Sequence, residues 1–443
     1  MNRNEFLSQM VKLGLGFAAM PLVLQSCFRE EFDVQFNGNL VIVGAGAAGL
    51  YAAYLLKKFG IEVKVLEAAP HIGGRIGKHE GFADFPLDRG AQWMHSSHSI
   101  IGDLVRETNT AVFYDNSADR YYYKGALEST FPDAVQSIIS KMEESSPNIS
   151  LEEHFYNSGG TADEFNFIYA LAAESGASPR NLSVKWEDQA YKLATTGSDD
   201  YKFEKTYFDL FEEHIVPEIK ADIVLNAAVT EINYEAEKAL VKSAQGSFPA
   251  DAVIVTVPLT ILQNKSIRFV PPLPVKKEEA FSQLAMEAGT KAYLKFSDHF
   301  TDSNVVGGTV CSSYVLESYK RAGDSMVLMC FLIGDQAKNL SDSGESETVK
   351  ALLAELDSMF ENKASASFEG AYIQDWLKEP FVQGAYSYPT KNANERTREH
   401  LASSVQNKIF FAGEATNTNG HHQSVHGAVE TAYREVMSLV RKR

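Results

Sequence analysis

The chain is poor in cysteine, in positive charge and in long apolar runs, and each shortage removes a class of protein. Three cysteines in 443 residues, Cys27, Cys311 and Cys330, exclude a disulfide-built scaffold, and none sits at a metal-site spacing. Cys311 and Cys330 fall in two strand-like runs, 308–316 and 325–334, flanking a turn near Arg321–Asp324. A hairpin would bring them close enough to bridge, and two buried thiols are the plainer expectation. Lys and Arg number 41 against 58 Asp and Glu, a net charge of −17. That balance repels nucleic acid and anionic membrane faces, so neither is expected as a partner. The most apolar stretch, residues 13–24, is far shorter than the roughly 20 residues that span a bilayer. Internal repeats and low-complexity tracts are missing too, which excludes a solenoid.

What is present begins with residues 1–27. Arg3 and Lys12 precede the apolar stretch 13–24, the layout of an export signal. Leu24-Gln25-Ser26-Cys27 resembles a bacterial lipoprotein signal, with Cys27 as the residue to be lipidated, and Asn2-Arg3-Asn4-Glu5-Phe6-Leu7 resembles a twin-arginine signal lacking one arginine. The expected location is therefore exported, periplasmic or anchored to a membrane only through Cys27. Residues 28–38 read as a tether.

The run 41–50, Val-Ile-Val-Gly-Ala-Gly-Ala-Ala-Gly-Leu, carries the strongest chemistry. A short β-branched strand runs into Gly44, Gly46 and Gly49, spaced G-x-G-x-x-G, and a helical pattern follows at once. The next strand, 62–67, ends on Glu67, 18 residues past Gly49. The first glycine permits a tight turn, the second lets backbone approach a pyrophosphate, and the third lets helix pack on strand. The helix N-terminus offers N–H groups to phosphate, and Glu67 can accept from ribose hydroxyls. A ligand-free turn of the same shape is the alternative; the strand–helix context and the acid favour a dinucleotide site. Beyond the acid, Gly73, Gly74 and Arg75 form a second phosphate-contacting loop that an NAD fold does not require.

Glu67, Ala68, Gly73, Gly74 and Arg75, followed by Asp88, Gly90, Ala91 and Trp93, resemble the flavin amine oxidases, the FAD family that includes monoamine and polyamine oxidases. The resemblance is best over 39–95, 219–296 and 370–443. It implies an α/β architecture: a Rossmann-type FAD-binding domain (39–95, 214–258 and 370–443) interleaved with an α+β substrate domain. The latter has a helical part, 96–213, and a sheet part, 259–369. His71 stands where the family usually has arginine, which removes one auxiliary phosphate contact.

The family's cofactor residues carry over to Gly44, Gly46, Gly49, Glu67, Gly74, Arg75, Gly90, Ala91, Gln92 and Trp93. Val229 falls near the adenine, Gly413 and Glu414 at the end of the strand 409–411, and Ser424 and Val425 at the start of a helix. That helix N-terminus would face the flavin pyrimidine, where reduction places negative charge. His426 and Gly427 match the polyamine-oxidase form of this motif. Neighbouring His421 and His422 read as loop residues, because adjacent histidines rarely share a metal; no metal is expected.

Three residues carry the implied chemistry. Lys291, in Gly-Thr-Lys-Ala-Tyr-Leu-Lys-Phe (289–296), matches the lysine beside flavin N5 that holds a water for reoxidation or imine hydrolysis. Lys295 shares its strand face without matching. Trp376 and Tyr386 match an aromatic cage over the reactive face, although core packing would use the same residue types. Two departures stand out. Ala385 replaces the cysteine that bonds flavin in monoamine oxidases, so FAD should be non-covalent. Ser424 replaces the second cage tyrosine. The implied activity is oxidation of a small-molecule amine with dioxygen as acceptor. An L-amino-acid oxidase or FAD desaturase on the same fold is the alternative enzyme, and would need a cation such as Arg106, Arg120 or Arg180 for a substrate carboxylate. A non-catalytic flavin-binding lipoprotein is the alternative outside catalysis. A demethylase-like role is disfavoured, because no long helical insertion interrupts the chain.

Overall fold

The computed structural model describes residues 34–441 apart from 196 and 198. The expected export signal and Cys27 lie outside the described residues. Among the described residues, no helix is long and apolar enough to cross a membrane.

A parallel sheet of five strands forms the first layer, in the spatial order 223–224, 62–66, 39–43, 252–255, 409–411. Its strands come from three distant tracts of sequence. Residues alternate between two apolar faces, as a strand buried on both sides requires. Leu40 and Ile42 enter one core with the helices Ala47–Lys58 and Val425–Val440, while Val41 and Val43 enter another beneath a meander, 229–250. Ala252 and Ile254 against Val253 and Val255 repeat the division. The two helices pack on each other across this face. That brings both of their N-terminal ends to the same edge of the sheet, beyond the carboxyl ends of the strands, where ligands of open α/β sheets bind.

The second layer is a seven-stranded sheet, in the order 368–375, 289–296, 326–333, 313–316, 304–306, 119–123, 126–128. One face, with Ala292, Leu294, Cys330 and Leu332, packs under the helices Gly334–Ser343 and Glu345–Met359. The other, with Tyr293, Val327 and Met329, meets Phe85 and Leu87 from the first unit. Lys291 lies on this inner face by the period of two.

The structure differs from the sequence expectation at three places. The tract 96–213 is not helical throughout: Val112–Tyr114, Asp119–Tyr123, Ala126–Glu128 and Asp200–Phe203 are strands. Three of the four carry aromatic residues, which suit a pleated surface, and Ala126–Glu128 is held by pairing with Asp119–Tyr123. Phe203, Tyr207, Phe208, Leu210 and Phe211 belong to the core of the first unit, not the second. Conversely, 370–375 belongs to the seven-stranded sheet, because Phe368–Asp375 pairs along Gly289–Phe296. Cys311 and Cys330 are free and buried, the plainer of the two expectations.

Candidate active site

One cavity of about 430 Å³ runs between the layers, a size typical of ligand pockets. One end is the glycine turn. Gly44 has φ of 107°, a left-handed conformation that favours glycine. Gly46 caps the helix Ala47–Lys58 without any side-chain bond, so the helix's first N–H groups are offered to the cavity that Gly46, Ala47 and Ala48 line. Gly49 is buried beneath the turn, against Gly44 and Thr256, and does not line the cavity. The second loop joins the first: Gly73 donates its N–H to the Ala45 carbonyl at 2.8 Å, and Gly74 comes to lie beside Gly46.

Glu67 closes this end. Its carboxylate accepts from the Ala45 N–H at 2.6 Å and the Ala69 N–H at 2.8 Å. Burial raises its pKa, opposed by these backbone donors. Val229 and His71 line the cavity beside it, His71 exposed at the mouth.

The middle is charged and ordered. Arg75 donates to the Ala385 carbonyl and to Glu414, both at 2.9 Å. Glu414 also accepts from the Ser387 hydroxyl at 2.7 Å and the Gln423 N–H at 3.1 Å. Burial would raise the Glu414 pKa, yet Arg75 and Arg398 hold it below the ordinary carboxylate value. Gly413, Ser424 and Val425 line the same stretch. The Ser424 hydroxyl accepts the Gly427 N–H at 3.0 Å and caps the helix Val425–Val440, aiming a second helix N-terminus at the cavity. His426 is buried against His421 and His95, and burial first, then these neighbours, keeps it neutral well below the usual histidine range.

The far end gathers Lys291, Trp93, Gln92, Phe331, Ile333, Tyr386 and His95. Lys291 is 4% exposed. Its ammonium donates to the Gln92 side-chain carbonyl, lies 3.5 Å from the Asp88 carbonyl and the Tyr293 hydroxyl, and sits 5.7 Å from the centre of the Trp93 ring. Tyr386 is fixed by its hydroxyl, which donates to the Ala173 carbonyl at 2.9 Å. Trp376 packs beneath Gly90 and donates to the Arg89 carbonyl at 3.2 Å. Ala91 completes this wall.

All the sequence-derived site residues except Gly49 therefore line one cavity, and Gly49 supports it from behind. Sequence reasoning missed Phe331, Ile333, His95, Glu174 and Gln423, which also line it. His95 follows Trp93 by two along one strand, a spacing that could have found it, and its Nδ1 lies 2.6 Å from Asp200. Nothing local marked the others. Of the three arginines weighed for a substrate carboxylate, Arg106 bonds Asp103, Arg180 bonds Asp335 and Arg120 donates to the Leu127 carbonyl. None of them lines the cavity. Among the described residues no cluster of metal-ligating side chains is found.

The donor set fits an elongated dinucleotide. A methyl group on Gly46 would point into open cavity, its nearest neighbour the Gly73 carbonyl oxygen at 3.8 Å. That is the gap through which backbone reaches a pyrophosphate. Two helix N-termini and Arg75 supply positive potential along the middle, and Glu67 stands ready to accept from ribose hydroxyls at the end.

Comparison with known proteins agrees. The profile of the family described as flavin containing amine oxidoreductase matches residues 208–440, and a NAD(P)-binding Rossmann-like domain matches 42–108. Probable polyamine oxidase 4 of Arabidopsis thaliana is 27% identical over 429 residues, covering 88% of this chain and 84% of that protein. Lysine-specific histone demethylase 2 of Homo sapiens is 27% identical over 91% of this chain, which spans 53% of the demethylase. A putrescine oxidase structure superposes with a TM-score of 0.78 at 20% identity, covering 92% of this chain and 99% of its own. A cyclohexylamine oxidase from Brevibacterium oxydans IH-35A does so at 0.77 and 18%, covering 91% and 100%. The glycine turn, the acid that ends the second strand, the paired helix ends and the matched profile lead to one statement: this chain belongs to the flavin-containing amine oxidoreductases.

Proposed function

We propose that the chain is an FAD-dependent amine oxidase that converts R–CH2–NH2, dioxygen and water to aldehyde, ammonia and hydrogen peroxide, or the equivalent for a substituted amine. The observation that carries this reading is the single cavity that joins the dinucleotide turn to an aromatic, lysine-bearing end. Bound FAD would supply the two-electron redox chemistry. The chain's own residues do the rest. Gly46, Arg75 and the two helix N-termini hold the diphosphate and the pyrimidine edge. Trp93, Phe331, Ile333 and Tyr386 form an apolar wall that favours the neutral amine. An alkylamine is otherwise mostly protonated at pH 7, with a pKa of about 10.4. Lys291, whose ammonium lines the aromatic end of the cavity, would hold a water there.

Polyamine oxidases among the relatives, and the putrescine oxidase structure that holds putrescine, support an amine as substrate. An amino acid is not favoured, since none of the candidate arginines reaches the cavity. Export and lipidation at Cys27 belong to this proposal on the sequence pattern alone; mass spectrometry of the mature N-terminus tests them. For the activity, the purified protein is yellow, amines bleach it anaerobically, and peroxide appears in air. A panel of monoamines, polyamines and amino acids that neither bleaches the protein nor yields peroxide refutes the reading.

A further inference from the structure

Lys291 is buried, and its ammonium is tied through one amide to a buried charged network. Gln92 is 1% exposed, Lys202 1% and Glu317 0%. The Gln92 side-chain nitrogen donates to Glu317 Oε2 at 3.0 Å, and the Gln92 carbonyl oxygen accepts from Lys291. Lys202 Nζ donates to the same Glu317 oxygen at 3.1 Å, and Arg321 stands 3.5 Å from the other. These groups come from four places: the tract before Trp93–His95 (Gln92), the strand Asp200–Phe203 (Lys202), the turn after Ser313–Leu316 (Glu317 and Arg321) and the strand Gly289–Phe296 (Lys291).

We propose that Glu317 is a positioning residue: it fixes the Gln92 amide so that the carbonyl, and not the NH2, faces Lys291. An amide has a donor end and an acceptor end, and its partners decide which way it points. An ionised carboxylate only accepts, so it takes the NH2 end. Burial pushes the Glu317 pKa up, but Lys202, Arg321 and Lys291 outweigh it and keep the group ionised. With the amide reversed, an NH2 would face an ammonium, and the charge-assisted bond that holds Lys291 in the cavity wall would be lost. Buried ion pairs contribute little net stability compared with apolar packing. A Glu317–Lys202 pair one amide away from the cavity is therefore better accounted for by orientation than by stability. Asp88 lies on the other side of Lys291. Burial pushes its carboxyl up to about 7 against the pull of Lys291, and its Oδ2 has no hydrogen-bond partner among the described residues.

The inference rests on the reading of Lys291 as the residue beside the cofactor, and the test separates the two. Stopped-flow measurements follow anaerobic bleaching by an amine and, separately, oxidation by dioxygen. Lys291→Met identifies the half-reaction that depends on the lysine. Glu317→Gln is expected to slow that same half-reaction about tenfold, a fraction of what full removal of a positioned donor costs, and to leave the other within about twofold. Glu317→Asp keeps an acceptor-only carboxylate beside the Gln92 NH2 and the Lys202 ammonium, which share one Glu317 oxygen. It should keep most of the rate that Glu317→Gln loses. If Glu317→Gln folds poorly, Gln92→Met keeps the Glu317–Lys202 pair and should slow the same half-reaction. Equal slowing of both half-reactions by Glu317→Gln, or a loss in the lysine-dependent half-reaction as large in Glu317→Asp as in Glu317→Gln, overturns the inference. A Lys291→Met enzyme unchanged in both half-reactions overturns the reading of Lys291 itself.

Discussion

The glycine turn allows one substitution to be predicted with opposite outcomes three residues apart. At Gly46 the backbone is extended, φ −78° and ψ −175°, open to any residue, and an added methyl meets nothing nearer than 3.8 Å. Gly46→Ala therefore costs the FAD-free protein only the difference between glycine and alanine at a helix cap, about 0.5–1 kcal/mol. The methyl does occupy the path of the diphosphate. Losing one charge-assisted backbone contact, worth about 1.5–3 kcal/mol, weakens FAD binding roughly 10- to 150-fold. At Gly49 an added methyl would press into the Gly44 carbonyl oxygen, with the Gly44 carbonyl carbon and Thr256 Oγ1 both at 3.0 Å. The helix Ala47–Lys58 must then lift from the first strand, and overpacking of this kind costs about 1–3 kcal/mol. Gly49→Ala should lower the melting temperature of the FAD-free protein by several degrees. Thermal unfolding by circular dichroism and titration of FAD by fluorescence quenching separate the two. Wild-type FAD affinity in Gly46→Ala, or equal loss of apo stability in both variants, would refute the argument.

Three further outcomes follow from the packing. Lys277 is 1% exposed, its ammonium bonded to the Leu401 carbonyl at 2.6 Å and 3.8 Å from the Phe411 ring centre, and burial lowers its pKa to about 7. The unfolded chain then binds the extra proton between pH 7 and about 10.5, so unfolding free energy rises across that window. Lys277→Met should be more stable than wild type by about 1–2 kcal/mol near pH 6, an advantage that shrinks as the pH approaches 10 in melting curves. Removing the carboxylate with Glu414→Ala leaves Arg75 and Arg398 uncompensated in a buried wall. A loss of about 3–5 kcal/mol is expected, read as a large fall in melting temperature or as insoluble protein. With alanine at 385, acid precipitation should release all flavin into the supernatant; colour retained in the pellet would show a covalent bond.

The sheet strands were legible because their cause is local. Leu40–Val43 and Ala252–Val255 are β-branched runs that no other element accommodates, and the three glycines follow the first of them at once. The boundaries between the two units were less legible. Phe203–Phe211 lies in the tract that reads as mostly helical, and only its place in one apolar cluster with Tyr51 and Ile254 assigns it to the first core. The strand Phe368–Asp375 poses the same difficulty: it alternates like any other, and its partner at Gly289–Phe296 lies about 80 residues away. Tyr386 stood out beside Gly384, but Phe331 and Ile333 alternate inside a uniformly apolar strand, where nothing distinguishes a cavity wall from a core.

The sequence by itself determined the dinucleotide turn and the acid that follows it, since spacing along a few residues sets those; Lys291 was singled out by the family resemblance alone. Tertiary structure alone decided that Glu317, Lys202 and Gln92 meet behind Lys291, and that Phe331 joins Tyr386 in the cavity wall. The reason is chain separation. Groups far apart along the chain come together only after two sheets have closed on each other, and their pairing is fixed by burial and charge rather than by any local pattern.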